Sequence, residues 1–511
     1  MNKVILRPEN RIINCEENSL LLDVLLESEV PVKSPCGGRG VCGKCAVNAS
    51  GGLSERTVSE IRLLEDRGKR LACQTYVTGD AEVFHDFLPG EEKQDIRLDR
   101  DSDFGMAVDI GTTSVQISLV DLNKKSSILI DSFLNPQRRY GHDVISRIQA
   151  SGDKTAFQAI AGILTSSIGR AVRIAGKRFS LPDEKFKIIC FSGNTTMTYF
   201  LFGIDVSPLG IYPYRAQILD FFARPDKPVI AIGKNTSVYA LPSVSAFIGG
   251  DLVGGLAFLD GLGYREKIFF IDLGTNGEMF LRKSGDEIYA ASCAMGPALE
   301  GMNISCGMTA EEGAISHFRV EKGITKQTVI GGVTATGICG TGLIDIVSAL
   351  LDCNIILKTG AMNRRELDKS GAAVKGMSYD AVRGTLGIAD NVFITQNDIR
   401  NIQLAKAAAR ASSEMLLESS GCDPDEVRHV AIAGAFGENL DMRNFQKLGF
   451  IPEFRNAEYV FFGNTSLKAA EICCHDEQFR KKASELRDRV RVTELTARPD
   501  FNDRFINSIN F

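Results

Sequence analysis

The chain has 511 residues, of which 44% are hydrophobic and 24% charged, and its formal net charge is −5. This length is enough for two to four domains with buried cores, and because the basic residues are scattered, we expect no nucleic-acid partner. The chain lacks a run of about 18 uncharged apolar residues and reaches charge early, at Arg7 and Glu9, so we expect no membrane span and no signal peptide. Thirteen cysteines in a chain expected to be cytoplasmic indicate thiols and metal ligands rather than disulfides.

The first 88 residues are predicted to form a small α+β domain, because short strands alternate with one or two helices. Strands are expected at residues 4–7, 11–14, 46–47, 71–77 and 81–84. A helix is expected over residues 19–27, where leucines and a valine recur at helical spacing, with Asn18 as its N-cap. A second helix is expected near residues 58–66.

Four cysteines of this domain form a set that is typical of an iron–sulfur site. Three of them lie in a glycine-rich loop with the spacing C-x5-C-x2-C and the fourth follows later; they are Cys36, Cys42, Cys45 and Cys73. Iron–sulfur clusters require thiolate ligands, and glycines allow positive φ and bring backbone N–H groups close to the sulfurs. A structural zinc site is the alternative, but it usually needs a second C-x2-C pair, which is missing. We therefore predict one 2Fe–2S cluster, and the spacing resembles that of the β-grasp 2Fe–2S ferredoxins.

The cysteines outside this set are predicted to belong mostly to the hydrophobic core. Most of them lie in apolar runs, where cysteine behaves as a small hydrophobe. The adjacent pair Cys473 and Cys474 suggests a metal site at first sight, but neighbouring residues on a helix point in different directions. We therefore prefer the core interpretation for this pair as well.

Residues 104–511 are predicted to form an α/β domain, joined to the first by a charged linker over residues 89–103. Strands are expected at residues 106–110, 115–120, 188–191, 268–273 and 427–433, and long helices at residues 154–177 and 398–419. One short motif occurs twice, each time between two strands: Asp-Ile-Gly-Thr-Thr at residues 109–113 and Asp-Leu-Gly-Thr-Asn-Gly at residues 272–277. The repeat predicts two related subdomains that face one another, over residues 104–243 and 244–511.

The two copies of this motif are candidate phosphate loops. A Gly-Thr turn between strands exposes backbone N–H groups and hydroxyls to a phosphate, and the preceding aspartate can hold Mg²⁺ through water or orient an attacking water. The candidate phosphate ligands are Gly111, Thr112, Thr113, Gly274, Thr275, Asn276 and Gly277, and the candidate catalytic residues are Asp272 and Asp109. Ordinary hairpin turns also use Asp and Gly, but two copies in the same context favour ATP–Mg²⁺ binding. The absence of a Walker A lysine motif disfavours a P-loop fold.

The paired loops resemble the phosphate motifs of the actin–hexokinase–Hsp70 superfamily. The resemblance implies a β-grasp ferredoxin domain followed by an actin-like ATPase with duplicated ribonuclease-H-like subdomains. It also implies an adenosine motif after the strand at residues 427–433, formed by Gly434, Ala435 and Gly437. Gly340 and Thr341 open a predicted helix whose N-terminus could face phosphate or ribose; close packing of that helix on a strand is the alternative.

Further motifs narrow the resemblance to one family. They are Asn-Pro-Gln at residues 135–137, Gly-His-Asp-Val at 141–144 with Arg-Ile at 147–148, Ser-Gly-Asn-Thr-Thr at 192–196, Gly-Gly-Asp at 249–251, Gly-Pro-Ala-Leu-Glu-Gly at 296–301, Thr-Gln-Asn-Asp at 395–398 and Gly-Asn-Thr-Ser-Leu at 463–467. Together with the N-terminal cysteines, they look like the motifs of reductive activators of corrinoid-dependent enzymes. The resemblance covers nearly the whole chain. The chain differs from some relatives, which carry an extra domain between the ferredoxin and ATPase domains, and from others, which carry cysteine-rich motifs at the C-terminus.

The resemblance implies an ATP-dependent iron–sulfur oxidoreductase. Its expected partners are the corrinoid protein of a methyltransferase, whose Co(II) it would reduce to Co(I), and a low-potential electron donor. Ser292 and Ser305 are candidates to approach cobalt, and ordinary turn hydroxyls are the alternative for both. Two other functions stay open: a small-molecule kinase with a regulatory cluster, and a nucleotide-gated redox sensor without enzymatic activity. The oligomeric state is left open, with a homodimer as one option.

Overall fold

The structure, a computed structural model, describes residues 1–7, 10–28, 30, 32, 38, 40, 43–64, 66, 68–84, 98–99, 101–223, 229–230, 236–370, 374–434, 440–495 and 498–511. The chain divides into two compact units. The first unit comprises Met1–Arg97, Glu300–Ile355 and Met362–Ile399, and the second comprises Leu98–Leu299, Ile356–Ala361 and Arg400–Phe511. Within the described ranges, no helix is both long and apolar enough to cross a membrane.

The end of the predicted linker is fixed on the second unit. The backbone N–H of Asp103 donates to Asn123 (3.0 Å), and its carbonyl oxygen accepts a hydrogen bond from the N–H of Leu122 (3.0 Å). Most of the linker, residues 89–97 and 100, lies outside the described residues. The domain boundaries predicted at residues 88, 103 and 243 therefore stay predictions.

The N-terminal part of the first unit is a mixed sheet with two short helices. Its strands lie in the order Arg11–Cys15, Asn2–Arg7, Tyr76–Phe84, Ala46–Leu53 and Lys69–Leu71, and Ser19–Leu20 pairs with Tyr76–Phe84. The helices are Leu21–Glu27 and Val58–Leu63. The core is formed by buried aliphatic side chains of the first helix and the strands, among them Val4, Leu6, Leu21, Leu25, Val47, Val77 and Val83. The predicted α+β ferredoxin-type fold is thus confirmed.

Two local expectations for this part are wrong. Asn18 is not an N-cap: it takes a left-handed conformation (φ 62°), which asparagine tolerates. The chain stays extended through Leu20, because Ser19 pairs with Val77. The strand expected at residues 71–77 is interrupted by a 3-10 turn, Ala72–Gln74.

The remaining described residues of the first unit add two three-stranded sheets. One has the order Ile324–Val329, Ala314–Glu321 and Gly337–Ile338, and the other Ser378–Asp380, Thr385–Ala389 and Val392–Thr395. The helices are Gly340–Asp352 and Arg364–Ser370. Gly342 lets the first of these helices approach its neighbouring strand, because a Cβ at this position would lie 2.0 Å from the carbonyl oxygen of Ile315.

The second unit contains two six-stranded sheets with the same core topology. The first has the order Phe221–Ala223, Ser237–Ala240, Phe186–Gly193, Phe104–Ile110, Ser114–Asp121 and Ser126–Leu134; the second has the order Glu458–Gly463, His429–Ala433, Ile268–Leu273, Asn276–Arg282, Ile288–Ala294 and Val490–Val492. In each sheet the first three strands along the chain pair antiparallel, and two later strands join parallel on the other side of the first. These are Phe186–Gly193 and Ser237–Ala240 in the first sheet, and His429–Ala433 and Glu458–Gly463 in the second. Each copy of the repeated motif ends the first strand of its sheet. The duplication predicted from the repeat is confirmed.

Helices cover these sheets and fill the space between them. They are Val144–Ala150, Lys154–Phe179, Thr195–Phe202, Ser207–Gly210, Gly250–Gly261, Met442–Leu448, Thr465–His475, Glu477–Arg487, Phe501–Asn507 and most of Gln396–Ser420. One buried cluster joins both sheets through Gly250–Gly261 and Thr465–His475. Cys473 and Cys474 belong to this cluster, which confirms the core interpretation of that pair.

Candidate functional site

A hydrogen-bonded scaffold holds the first loop, residues 109–114. The side-chain amide of Asn135 donates to the carbonyl oxygen of Gly111 (2.9 Å), and that of Asn194 donates to the hydroxyl of Thr112 (3.0 Å). Gly111 itself is required by the tight turn, because a Cβ there would lie 2.8 Å from the carbonyl oxygen of Ser114. The loop conformation is therefore set by groups behind it, before any ligand is present.

Arg147 is the centre of this scaffold. Its side chain is fully buried, and its guanidinium donates to the carbonyl oxygens of Thr112 (2.5 Å) and Gly141 (3.0 Å). A buried guanidinium is tolerated only where hydrogen bonds satisfy it. Asn135, Gln137, Arg147 and Asn194 all come from the family-type motifs, and the structure shows that these motifs fix the loop rather than line its open side.

Asp109 at the start of the first loop is held by a segment far along the chain, residues 464–466. Its two carboxylate oxygens accept hydrogen bonds from the side-chain amide of Asn464 and the hydroxyl of Ser466, both at 2.7 Å. Asn464 also caps the helix Thr465–His475, because its side-chain oxygen accepts from the N–H of Leu467 (2.8 Å). Burial raises the pKa of Asp109, and these two donors act against that rise.

Close packing surrounds the second loop, residues 272–277. A Cβ on Gly277 would lie 2.5 Å from the sulfur of Met295, and a Cβ on Gly434 would lie 2.7 Å from the carbonyl oxygen of Leu273 and 3.0 Å from a carboxylate oxygen of Asp272. The backbone N–H groups of Met295 and Gly296 donate to the carbonyl oxygen of Thr275 (3.1 and 2.9 Å). Glycine is thus required where other segments touch this loop.

The two loops meet directly. The hydroxyl oxygens of Thr113 and Thr275 lie 2.6 Å apart, although 162 residues separate them in sequence. The sequence predicted two copies of one motif, and the structure brings them face to face. One hydroxyl from each copy of the motif therefore lies at the same point.

Two further carboxylates link the aspartates of these loops, and sequence reasoning missed them as site residues. Burial, followed by the negative charge of Asp109, raises the pKa of Asp251 to about 7. Burial, followed by the charges of Asp251 and Asp272, raises the pKa of Glu278 well above its usual value. Asp251 is the last residue of the recognised motif Gly-Gly-Asp, and Glu278 directly follows the second loop. An acidic residue at the end of each motif was the signal that the sequence offered.

These four carboxylates do not form a ready-made metal site. In the part of the chain that the structure describes, no group of three or more His, Cys, Asp or Glu side chains could hold a metal ion. The repulsion among Asp109, Asp251, Asp272 and Glu278 is nevertheless the kind that a divalent cation relieves. The residues fit a cation held mainly through water and the phosphates of a nucleotide, as Mg²⁺ prefers.

The structure describes three of the other five predicted nucleotide ligands. Gly340 and Thr341 open the helix Gly340–Asp352 in the first unit, and the hydroxyl of Thr341 donates to the carbonyl oxygen of Ser316 (2.8 Å). This contact matches the packing alternative for the segment. Gly434 has φ 114° and directly follows the strand His429–Ala433, whereas Ala435 and Gly437 lie outside the described residues.

Two of the four predicted cluster ligands are described, and they lie side by side. The sulfur atoms of Cys45 and Cys73 are 3.2 Å apart, and both side chains are buried. Gly38, Gly40 and Gly43 have positive φ, as the cluster prediction required of the loop glycines. Cys36 and Cys42 lie outside the described residues. This part of the site fits a thiolate-ligated cluster.

A buried ion pair fixes the segment that carries Cys73. Glu60 is fully buried and accepts hydrogen bonds from Arg70 (2.8 Å), the N–H of Leu71 (3.1 Å) and the hydroxyl of Thr75 (3.1 Å). Burial alone would raise the pKa of Glu60, but the hydrogen bonds from Arg70 and from backbone N–H groups bring it below its usual value. Glu60 also completes a capping box with Thr57. The Thr-x-x-Glu pattern was readable from the sequence.

The two serines proposed to approach cobalt lie in different units. Ser292 is in the strand Ile288–Ala294, opposite Glu278. Ser305 is held in the first unit: its N–H donates to Asp398 (2.8 Å) and its hydroxyl lies 3.4 Å from that of Thr395. For Ser305 these contacts match the turn alternative.

The comparisons with known proteins agree with this architecture. Residues 4–78 match the 2Fe–2S iron–sulfur cluster binding domain, residues 104–260 match the RACo middle region, and residues 266–511 match the C-terminal domain of RACo, the ASKHA domain. The chain is 27% identical to the corrinoid activation enzyme RamQ of Eubacterium limosum, over 90% of this chain and 91% of that protein.

Two further relatives share most of the chain. The [Co(II) methylated amine-specific corrinoid protein] reductase of Methanosarcina barkeri is 25% identical over 72% of this chain and 69% of its own length. A solved structure, the reductive activator for corrinoid,iron-sulfur protein, covers 100% of this chain and 98% of its own, with 25% identity and a TM-score of 0.73. With a ferredoxin-type domain, paired loops and both RACo regions on one polypeptide, the chain belongs to the family of reductive activators of corrinoid-dependent enzymes.

Proposed function

We propose that this protein uses ATP to drive the transfer of one electron from its 2Fe–2S cluster to the Co(II) corrinoid of a methyltransferase corrinoid protein, which becomes Co(I). The observation that supports this most is the match of one chain to a cluster-binding domain and to both RACo regions. The named relatives act on corrinoid proteins. A two-subdomain ATPase fused to a one-electron carrier supplies the two parts that such a reaction needs.

At the cluster end, Cys36, Cys42, Cys45 and Cys73 are proposed as the ligands. The cluster, when bound, supplies a one-electron couple at low potential. Cys45 and Cys73 contribute paired, buried thiols at 3.2 Å. The side-chain amide of Gln74 lies 3.7 Å from the sulfur of Cys73, and such donors to cluster sulfur raise a reduction potential.

At the nucleotide end, the first and second loops are proposed to hold the phosphates of ATP. Thr113 and Thr275 bring a hydroxyl from each loop to one point, and the backbone of Gly434, the first residue of the proposed adenosine motif, passes close to Asp272. Asp272 is the proposed residue for positioning Mg²⁺ or the attacking water, and Asp109 is its counterpart. Mg²⁺, the upstream donor, the cytoplasmic location and the oligomeric state remain expectations.

The test is an anaerobic absorbance assay with the complete chain. A corrinoid protein in the Co(II) state is mixed with the activator and a low-potential reductant, with and without ATP. Co(I) should appear only when activator and ATP are both present, and a Cys45→Ser variant should fail while still hydrolysing ATP. Phosphorylation of a small molecule in the absence of a corrinoid protein would support the kinase instead. ATP binding without either reaction would support the nucleotide-gated redox sensor.

A further inference from the structure

A basic cavity lies in the second unit and is built from three helices. It has a volume of about 380 Å³, and four basic side chains and one acidic side chain are among the residues that line it. Lys406, Arg410 and Glu414 come from one face of Gln396–Ser420, at spacings of four residues. Lys447 lies in the last turn of Met442–Leu448, and Arg504 lies on Phe501–Asn507.

Lys406 is the unusual member of this set. Only 4% of the residue is exposed, and its ammonium donates to the carbonyl oxygen of Asn510 (2.5 Å) and lies 5.9 Å from the ring centroid of Phe511. Among the described residues no carboxylate lies within 4 Å of this ammonium. Burying a lysine without a counter-ion is costly.

The other charges of the cavity are arranged in pairs. Arg410 donates to Glu414 (2.5 Å) and to the carbonyl oxygen of Ile451 (2.8 Å). Arg504 bridges to Asp500 and Glu418 (2.8 and 2.9 Å). These pairs neutralise both guanidinium groups and leave Lys406 as the buried charge that a ligand could compensate.

The walls of the cavity are fixed. The side-chain amide of Gln403 donates to the carbonyl oxygen of Ile509 (3.0 Å). The N–H of Phe511 donates to the carbonyl oxygen of Lys358 (2.8 Å). A Cβ on Gly449 would lie 3.6 Å from the ammonium of Lys406, so the backbone passes close to this charge. The cavity therefore exists without a ligand and needs no rearrangement to accept one.

We propose that this cavity binds a small metabolite through a phosphate or carboxylate group, with Lys406 as the counter-charge. The site is separate from the two loops and does not depend on the proposed function. An oxyanion would supply a counter-charge for the ammonium of Lys406. The side-chain amide of Asn507 and the hydroxyl of Ser508, which also line the cavity, offer further polar contacts.

The pH dependence of binding follows from the same contacts. Burial, followed by the charge of Arg410, lowers the pKa of Lys406 to about 8, and Glu414 acts in the opposite direction. An anion stabilises the protonated lysine, so binding should take up a proton near pH 8 and weaken as the pH rises above that value. The other charged side chains that line the cavity with Lys406 are Arg410, Glu414, Lys447 and Arg504.

The experiment is calorimetric titration of the complete chain with inorganic phosphate and, separately, with citrate. Lys406→Gln should weaken binding at least about tenfold, Lys447→Gln should weaken it less, and the exposed Lys177→Gln should not change it. Asp272→Ala, which alters the second loop, should leave binding in the cavity intact. Buffers of different ionisation enthalpy should reveal the proton uptake near pH 8.

Binding of phosphate alone would identify a phosphoryl ligand, and binding of citrate alone a carboxylate ligand. Equal affinity in wild type and Lys406→Gln, or no saturable binding of either anion, would overturn the proposal. Should Lys406→Gln fail to fold, unchanged affinity in the milder Lys447→Gln together with the absence of proton uptake would do the same.

Discussion

The two loops of the second unit share one sequence pattern but are held in different ways. The first loop rests on polar side chains from four other segments, which include Asn135, Arg147 and Asn194. The second is held by close packing at Gly277 and Gly434. Duplication of a fold has therefore preserved the turn and replaced what supports it.

The aspartates of the two loops differ in the same sense. Both carboxylate oxygens of Asp109 accept hydrogen bonds from neutral donors, Asn464 and Ser466. Asp272 lies opposite Glu278 on the neighbouring strand. Its negative charge adds to burial in raising the pKa of Glu278. Asp109 is positioned by these donors, and Asp272 adds its negative charge to a group of carboxylates whose mutual repulsion a cation would relieve. We therefore expect the chemistry to depend more on Asp272.

The largest effect is expected from Asp272→Ala. If Asp272 positions Mg²⁺ or water, its removal should lower kcat for ATP hydrolysis at least about 100-fold. The visible spectrum of the cluster should be unchanged, because Cys45 and Cys73 belong to the other unit. A steady-state assay with an absorbance spectrum of the same sample checks both statements.

Asp109→Ala is the matched variant for this measurement. It should lower hydrolysis as well. It also removes one acceptor each from Asn464 and Ser466, which keep Gln116 and Ser192 as partners, so unfolding should become easier by about 1 kcal/mol. Hydrolysis retained in Asp272→Ala and lost in Asp109→Ala would reverse the assignment of roles.

The next effect concerns the scaffold of the first loop. Arg147→Met removes the donor to the carbonyl oxygen of the buried Thr112 and to that of the half-buried Gly141. The free energy of unfolding should fall by about 3 kcal/mol, and KM for ATP should rise because the loop loses its fixed shape. Urea unfolding and ATPase kinetics measure the two consequences.

Arg455→Met is the control for the scaffold, since Arg455 is exposed and pairs with the exposed Glu453. Its effect on unfolding should stay within about 0.5 kcal/mol. A loss of stability in Arg147→Met no larger than in Arg455→Met would show that the scaffold does not hold the loop.

Sequence reasoning found the loops but not their supports, and the reason is distance along the chain. The Asp-x-Gly-Thr pattern is local, and its two copies also predicted the duplicated sheets. The contact between Asp109 and Asn464 spans 355 residues, and no local pattern announces it. What the sequence did carry was the motif at residues 463–467, recognised by resemblance but without a physical role.

The same limit explains the local errors in the ferredoxin-type part. Asn18 has the composition of an N-cap, yet strand pairing between Ser19 and Val77 delays the helix until Leu21. A tertiary contact thus overrode a local preference. The spacing of Cys45 and Cys73, by contrast, was sufficient to predict that their sulfurs would meet, because ligands of one cluster must converge whatever elements carry them.

The pH dependence of stability offers a smaller effect, in the carboxylates that link the loops. The pKa of Asp251 is raised to about 7 by burial and then by the charge of Asp109. A raised carboxyl pKa means that its contribution to stability is present below the unfolded-state value near 4 and is lost as the pH rises through about 7. Without nucleotide, the wild type should therefore lose stability as the pH rises from about 4 to about 7.

Asp251→Asn should remove that dependence, because an amide does not ionise. The variant should be more stable than the wild type by about 2–4 kcal/mol at pH 8 and similar to it only near pH 4. Chemical unfolding at the two pH values measures the difference. Parallel pH profiles for both proteins would mean that Asp251 ionises freely and that the loops do not crowd it.

The smallest effect tests the close packing around the second loop. Gly434 has φ 114°, and a Cβ there would lie 2.7 Å from the carbonyl oxygen of Leu273 and 3.0 Å from a carboxylate oxygen of Asp272. Gly434→Ala should therefore cost about 1–3 kcal/mol of stability and displace Asp272, which raises KM for ATP. The control is Gly285→Ala, since no atom lies within 4 Å of a Cβ at that exposed position. Thermal unfolding with ATPase kinetics on both variants separates the two cases: equal values would show that Gly434 has room for a side chain and that the second loop, unlike the first, is not held by its neighbours.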